Sequence, residues 1–154
     1  MTGARSGLQA TVLLLVRLIV GAVFIYASLD KLAEPAAFAQ SVANYRLVPL
    51  PLLHLFAWLL PILEAVCGVA LILGWQRRGA ALLIAAMTVM FIIAIAAALI
   101  RDLDISCGCF HTAGGHAVGR DLLLRDIALL VAALVPLLAA RDPWSLDALR
   151  NRSH

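Results

Sequence analysis

Four apolar runs, each about as long as a bilayer is thick, constrain this chain more than anything else in it. They cover about Leu8–Leu29, Leu50–Gly74, Gly79–Ile100 and Leu122–Ala140. A spanning helix needs roughly 20 apolar residues. Backbone groups in hydrocarbon must be paired within the segment, which makes helices the default for such runs. The composition agrees: 64% of the 154 residues are hydrophobic and 14% are charged, whereas a soluble domain is roughly half apolar. The expected fold is all-α, a four-helix transmembrane bundle forming one integral membrane domain over residues 1–154.

The first run follows Arg5 and is longer than the apolar region of a secretory signal. It reads as a retained helix that also serves as the insertion signal. Net charge is +3, but the basic residues lie mostly at helix ends and never alternate with aromatics in runs, so nucleic acid is not an expected partner. The bilayer is.

Lys and Arg placement gives an orientation. Arg5, Arg77, Arg78, Arg141, Arg150 and Arg152 fall on one side, and Lys31, Arg46, Arg101, Arg120 and Arg125 on the other. The tight Arg77-Arg78 turn is the strongest single indicator. It puts both termini in the cytoplasm and the two longer connections outside, in the cell (inner) membrane of a bacterium.

The first of these connections, Asp30–Pro49, contains Glu34-Pro35-Ala36-Ala37-Phe38, which opens like a helix with proline in its first turn. Phe38, Val42 and Tyr45 recur at spacings of four and three, the pattern of a short amphipathic helix in the interface. The second, Arg101–Asp121, carries Cys107-Gly108-Cys109.

A bridge between cysteines two positions apart needs a sharp bend, because the Cα separation of a disulfide is about 4.4–6.8 Å. Gly108 can supply the bend. Such a bridge is strained, and strained, exposed disulfides are the labile or catalytic ones. The extracytoplasmic side is also where disulfides persist. Cys107 and Cys109 are therefore candidate redox residues. A rival reading takes Cys107, Cys109, His111 and His116 as metal ligands, although zinc sites usually space their cysteines by two to four residues. A third takes the pair as incidental. The Cys-x-x-Cys-His pattern of haem attachment is absent. Cys67 lies about 24 Å down the second span at 1.5 Å per residue, too deep to meet the pair, and reads as a packing residue beside Gly68.

Two ionisable residues fall inside spans. Such residues usually face the bundle interior and pair with one another. Counted from the cytoplasmic ends, Arg17 and Glu64 lie at similar depth, about 14 and 15 Å, and an Arg17–Glu64 ion pair is expected. It would be either an architectural bond or a polar site for a proton or a quinone head group. The fourth run opens with Asp121, Arg125 and Asp126. Asp126 is expected level with Tyr26, Ser28 and Lys31, beneath the cysteine segment, where Arg125, Asp126 and Lys31 would anchor helix ends or support the thiols.

Taken in order, these motifs resemble a known family. Arg17, Gly21, Phe24 and Asp30-Lys31-Leu32 are similar to the first-helix signature of DoxX-like membrane proteins. Glu34 to Phe38, leading to Asn44-Tyr45-Arg46-Leu47-Val48-Pro49, resembles the MauE branch more specifically. Pro61-x-x-Glu64-x-x-x-Gly68, Leu73-Gly74, Asp104-Ile105-x-Cys107-Gly108-Cys109-Phe110 and Leu124-Arg125-Asp126 complete the match over roughly residues 12–140. His111 stands where the family tends to have glycine.

The resemblance implies a four-helix membrane protein of redox maturation, working beside a thioredoxin-like periplasmic protein. It is linked to processing, transport or disulfide formation of an exported client, the small subunit of methylamine dehydrogenase. A thiol–disulfide oxidoreductase passing electrons to a quinone is then one expectation. A non-catalytic assembly or export subunit and a metal-binding loop protein are the others. Four helices without an inverted repeat argue against a solute transporter.

Overall fold

Proline spacing and turn chemistry cut the chain where the apolar runs end. The structure, a computed structural model, describes residues 2–101, 120–139 and 145–147. Its helices are α1 (Thr2–Ala33), α2 (Pro35–Asn44), α3 (Leu50–Leu73), α4 (Arg77–Ile100) and α5 (Arg120–Leu138). Helix α1 runs one turn past the expected end at Leu29 and takes Asp30 and Lys31 into the helix. It stops at Glu34, whose φ of −129° and ψ of 62° reflect the clash that keeps a residue before proline out of the helical region. Pro35 then occupies the first turn of α2.

Three helices are long and apolar enough to cross a membrane: Gly7–Ala33, Leu50–Leu73 and Arg77–Ile100. Helix α5 has 19 residues, with Asp121, Arg125 and Asp126 in its first two turns, and completes the bundle against α4 and α1. Large apolar side chains cover the outside of the bundle, among them Leu15, Ile19, Leu55, Leu59, Ile62, Leu82, Ile93 and Val131. A water-soluble protein rarely shows so continuous an apolar exterior; lipid tails suit it.

The closest helix pair is α1 against α3, running antiparallel. Gly21 and Gly68 make the approach possible. A Cβ on Gly21 would lie 2.8 Å from the Gly68 carbonyl oxygen, and one on Gly68 would lie 2.9 Å from that of Gly21. Small residues at such crossings are how helices without a hydrophobic drive between them gain contact. Val20, Phe24, Leu60, Leu71, Ile84 and Ala133 fill the core around this seam.

Helix α3 ends in a Schellman motif. Gly74 adopts φ of 69°, its N–H bonds the Leu71 carbonyl, and the Trp75 N–H bonds the Ala70 carbonyl. Residues 145–147 fold back on this turn. The Asp147 carboxylate accepts the backbone N–H groups of Gln76 and Arg77, each at 3.0 Å. It caps α4, whose first N–H groups have no partner within the helix. Arg77 Nη2 donates to the Ala139 carbonyl at 2.8 Å. The starts of α1 and α4 and the ends of α3 and α5 therefore share one end of the bundle. The opposite end holds Lys31, α2, Arg101 and the start of α5.

The amphipathic helix expected in the first connection is α2, with its apolar stripe turned onto the bundle. Phe38 and Tyr45 are buried and Val42 is half-buried. This stripe covers the end of the bundle where the charged residues gather.

Candidate functional site

Cys107, Cys109, His111 and His116 lie outside the described residues. They belong to the connection that leaves α4 at Arg101 and enters α5 at Arg120. Cys67 is a free thiol buried in the core.

The Arg17–Glu64 pair expected from depth is not formed. Glu64 is bound by Lys31, whose ammonium donates to both carboxylate oxygens, at 2.8 Å to Oε1 and 2.7 Å to Oε2. Both side chains are 1% exposed. The reason is geometric. A helical side chain leans toward its own N-terminus. In the register set by Gly21 and Gly68, Glu64 stands about level with Ile25 and Arg17 about level with Ile72. On antiparallel helices, Lys31 and Glu64 lean toward each other, whereas Arg17 and Glu64 lean apart.

Arg17 finds a different use for its charge. Its Nε donates to the Leu71 carbonyl at 2.9 Å and its Nη2 to the Ile72 carbonyl at 2.8 Å. These carbonyls belong to the last turn of α3, which lacks intrahelical donors and carries the negative end of the helix dipole. Arg17 is a buried helix cap.

Around Lys31 the bundle supplies two rings and a second ion pair. The Lys31 Nζ lies 5.0 Å from the centroid of Phe91 on α4 and 5.4 Å from that of Phe38 on α2, both within cation–π range. On α5, Arg125 bonds Asp126 Oδ1 through Nε at 3.1 Å and Nη2 at 3.0 Å. Asp126 is buried, while Arg125 is 34% exposed at its edge. The negative charge of Asp126 reaches both Lys31 and Tyr45. Burial, seconded by that charge, pushes the Tyr45 phenol up to about 12. Arg101 Nη1 donates to the Tyr45 carbonyl at 3.1 Å, tying the end of α4 to the turn after α2.

Lys31, Glu64, Arg125 and Asp126 line one cavity, with Thr88, Phe91 and a wall of apolar side chains from α1 and α5. Its volume of about 20 Å³ is room for one water molecule. Among the expected supporting residues, Lys31, Arg125 and Asp126 thus come together. Ser28 is buried but donates to the Ile25 carbonyl, and Tyr26 is 57% exposed. Phe38 and Phe91 were not legible as site residues, since an apolar residue among apolar neighbours carries no mark. Lys31 carried one: it is the only lysine in the chain, the other basic residues all being arginine.

A family model described as "Methylamine utilisation protein MauE" matches residues 9–139. The chain is similar to the methylamine utilization protein MauE of Paracoccus denitrificans, 32% identical over 128 residues, which cover 82% of this chain and 69% of the relative. The protein of that name from Methylophilus methylotrophus is 39% identical over 134 residues, covering 82% and 70%. That of Methylorubrum extorquens is 33% identical over 126 residues, covering 78% and 68%. No solved structure matches.

Proposed function

This chain belongs to the MauE family, and on that premise we propose that it is a membrane thiol–disulfide redox protein of methylamine utilisation. Cys107 and Cys109 exchange with a thioredoxin-like protein outside the cytoplasmic membrane and so support maturation of an exported client. Both termini lie in the cytoplasm. The observation that carries this reading is positional. The connection bearing Cys107-Gly108-Cys109 joins Arg101 to Arg120, at the end of the bundle where Lys31, Glu64 and Asp126 are buried together. The end with the capped helices is the opposite one.

The exchange balances by itself. One thiolate of the pair attacks a sulfur of the partner's disulfide; that S–S bond breaks and the departing partner thiolate takes a proton. The second thiol loses its proton, attacks the mixed disulfide, and releases the partner's other sulfur. Two electrons and two protons pass to the partner, and the reverse sequence oxidises a partner dithiol. The thiolate is the reacting form in each step. A cavity of about 20 Å³ beside Lys31 does not fit a quinone ring.

Acid quenching followed by alkylation of thiols in cells tests this reading. Wild-type protein should be trapped partly as a Cys107–Cys109 disulfide. Cys107→Ser or Cys109→Ser should accumulate a reducible cross-link to a second protein. If neither species forms in cells using methylamine, the reading is lost.

A further inference from the structure

The single lysine of this chain is buried in the bundle against a carboxylate. At every other basic position the chain uses arginine, which does not give up its proton in proteins, whereas a lysine does so readily when buried. Lys31 is 1% exposed, in contact with a carboxylate that is also 1% exposed, deep in a bundle coated with lipid-facing side chains. Two of its three ammonium protons go to Glu64. The third has no partner among the described residues, and the cavity it shares with Glu64 and Asp126 has room for one water molecule. Ionisable residues inside a membrane that share a hydrated cavity are characteristic of proton relays.

We infer that Lys31, Glu64 and Asp126 form a proton-exchange centre within the bundle. A proton moves over the 2.7 Å between Nζ and Oε2: the N–H bond breaks, an O–H bond forms, and an amine and a carboxylic acid replace the two charges. Asp126 exchanges a proton with a water molecule admitted to the cavity, and Arg125, 34% exposed, holds Asp126 in place. The groups facing Lys31 are Glu64 from α3, Arg125 and Asp126 from α5, Phe91 and Thr88 from α4 and Phe38 from α2, with Tyr45 just beyond α2. The opposing structural reading is a permanent ion pair that never titrates. The centre does not depend on the thiol chemistry proposed above.

The composition makes the test direct. Lysine labelled with ¹⁵N reports Lys31 alone, and glutamate labelled with ¹³C at the carboxyl reports Glu64 beside exposed Glu34, the only other glutamate. NMR of the full chain in micelles should show the Lys31 Nζ and Glu64 Cδ signals shifting together as the pH is varied. Asp126→Asn should displace the midpoint. Lys31→Arg should hold Glu64 as a carboxylate throughout. The response should persist in a Cys107→Ser, Cys109→Ser double variant. Signals that stay flat in the wild-type chain would overturn the inference, and so would a response that vanishes with the cysteines. Both labels work without any substitution, so a variant that fails to fold leaves the test intact.

Discussion

Replacing Lys31 by methionine should be among the most damaging single changes available in this bundle, and adding Glu64→Leu should undo most of the damage. Lys31→Met removes two N–H···O bonds of 2.8 and 2.7 Å and two cation–π contacts, and leaves Glu64 facing Phe91, Phe24 and Leu129. Bulk water barely reaches it, because the side chain is 1% exposed and the cavity beside it has room for one molecule. Breaking a buried pair at one partner costs about 3–5 kcal/mol, limited only by Glu64 taking up a proton. Glu64→Leu alone should cost a similar amount, since it strands the ammonium. Two well-packed apolar residues in place of a buried pair are often neutral, so the double variant should fall within about 1 kcal/mol of wild type, for a coupling of several kcal/mol. By contrast Arg125→Ala, which removes a partner 34% exposed, should cost about 1 kcal/mol or less. Denaturant titration in mixed micelles, followed by fluorescence of the three tryptophans, gives all four values. A Lys31→Met loss below about 1 kcal/mol, or a double variant that loses the sum of the two singles, would refute the reasoning.

The helix seam and the cap make independent predictions. Gly21→Ala would put a methyl 2.5 Å from Ile72 Cγ1 and 2.8 Å from the Gly68 carbonyl oxygen; the isoleucine can turn, the carbonyl cannot, and unfolding should show a loss of about 1–3 kcal/mol. Asp147→Ala strips α4 of its two carboxylate bonds and should lower stability by about 1–2 kcal/mol in the same assay, with Asp147→Asn losing less. In a Tyr26→Phe background, ultraviolet titration should find Tyr45 ionising near the value of about 12 given by its burial and by Asp126, and Asp126→Asn should lower it. The fold holds the neutral phenol and the unfolded chain ionises first, near pH 10. Stability is therefore intact below about pH 10 and declines as pH rises toward about 12.

How far the sequence could be read depended on whether the deciding physics was local. Run length and hydropathy are local, and in a bilayer they choose the structure; the helices fall on the runs, although α1 starts six residues before its run and ends four after it. Pro35 and the Phe38–Val42–Tyr45 stripe are local too, and α2 follows. The partner of Glu64 was not. Counting residues places Cα atoms at a depth but says nothing of lean. On two antiparallel helices Lys31, six residues above the level of Glu64, leans toward it, and Arg17, eight residues below, leans away. The cap of α4 was illegible for a related reason, as Asp147 lies 70 positions from the N–H group of Arg77 and no pattern in either segment names the other.

The two buried cations show what that lean decides. Arg17 and Lys31 stand on one helix, both nearly inaccessible, and both were charges to be satisfied without water. Arg17 leans into the last turn of α3, where its forked guanidinium answers two carbonyls at once, neither of which takes up a proton. Lys31 leans to a carboxylate that can take one up, beside a cavity the size of a water molecule. Swapping the two residue types would replace the ammonium that pairs with Glu64 by a guanidinium, which does not give up its proton. A buried cation able to give up its proton is what the end of the bundle beneath the cysteine-bearing connection has and the capped end, among the described residues, lacks.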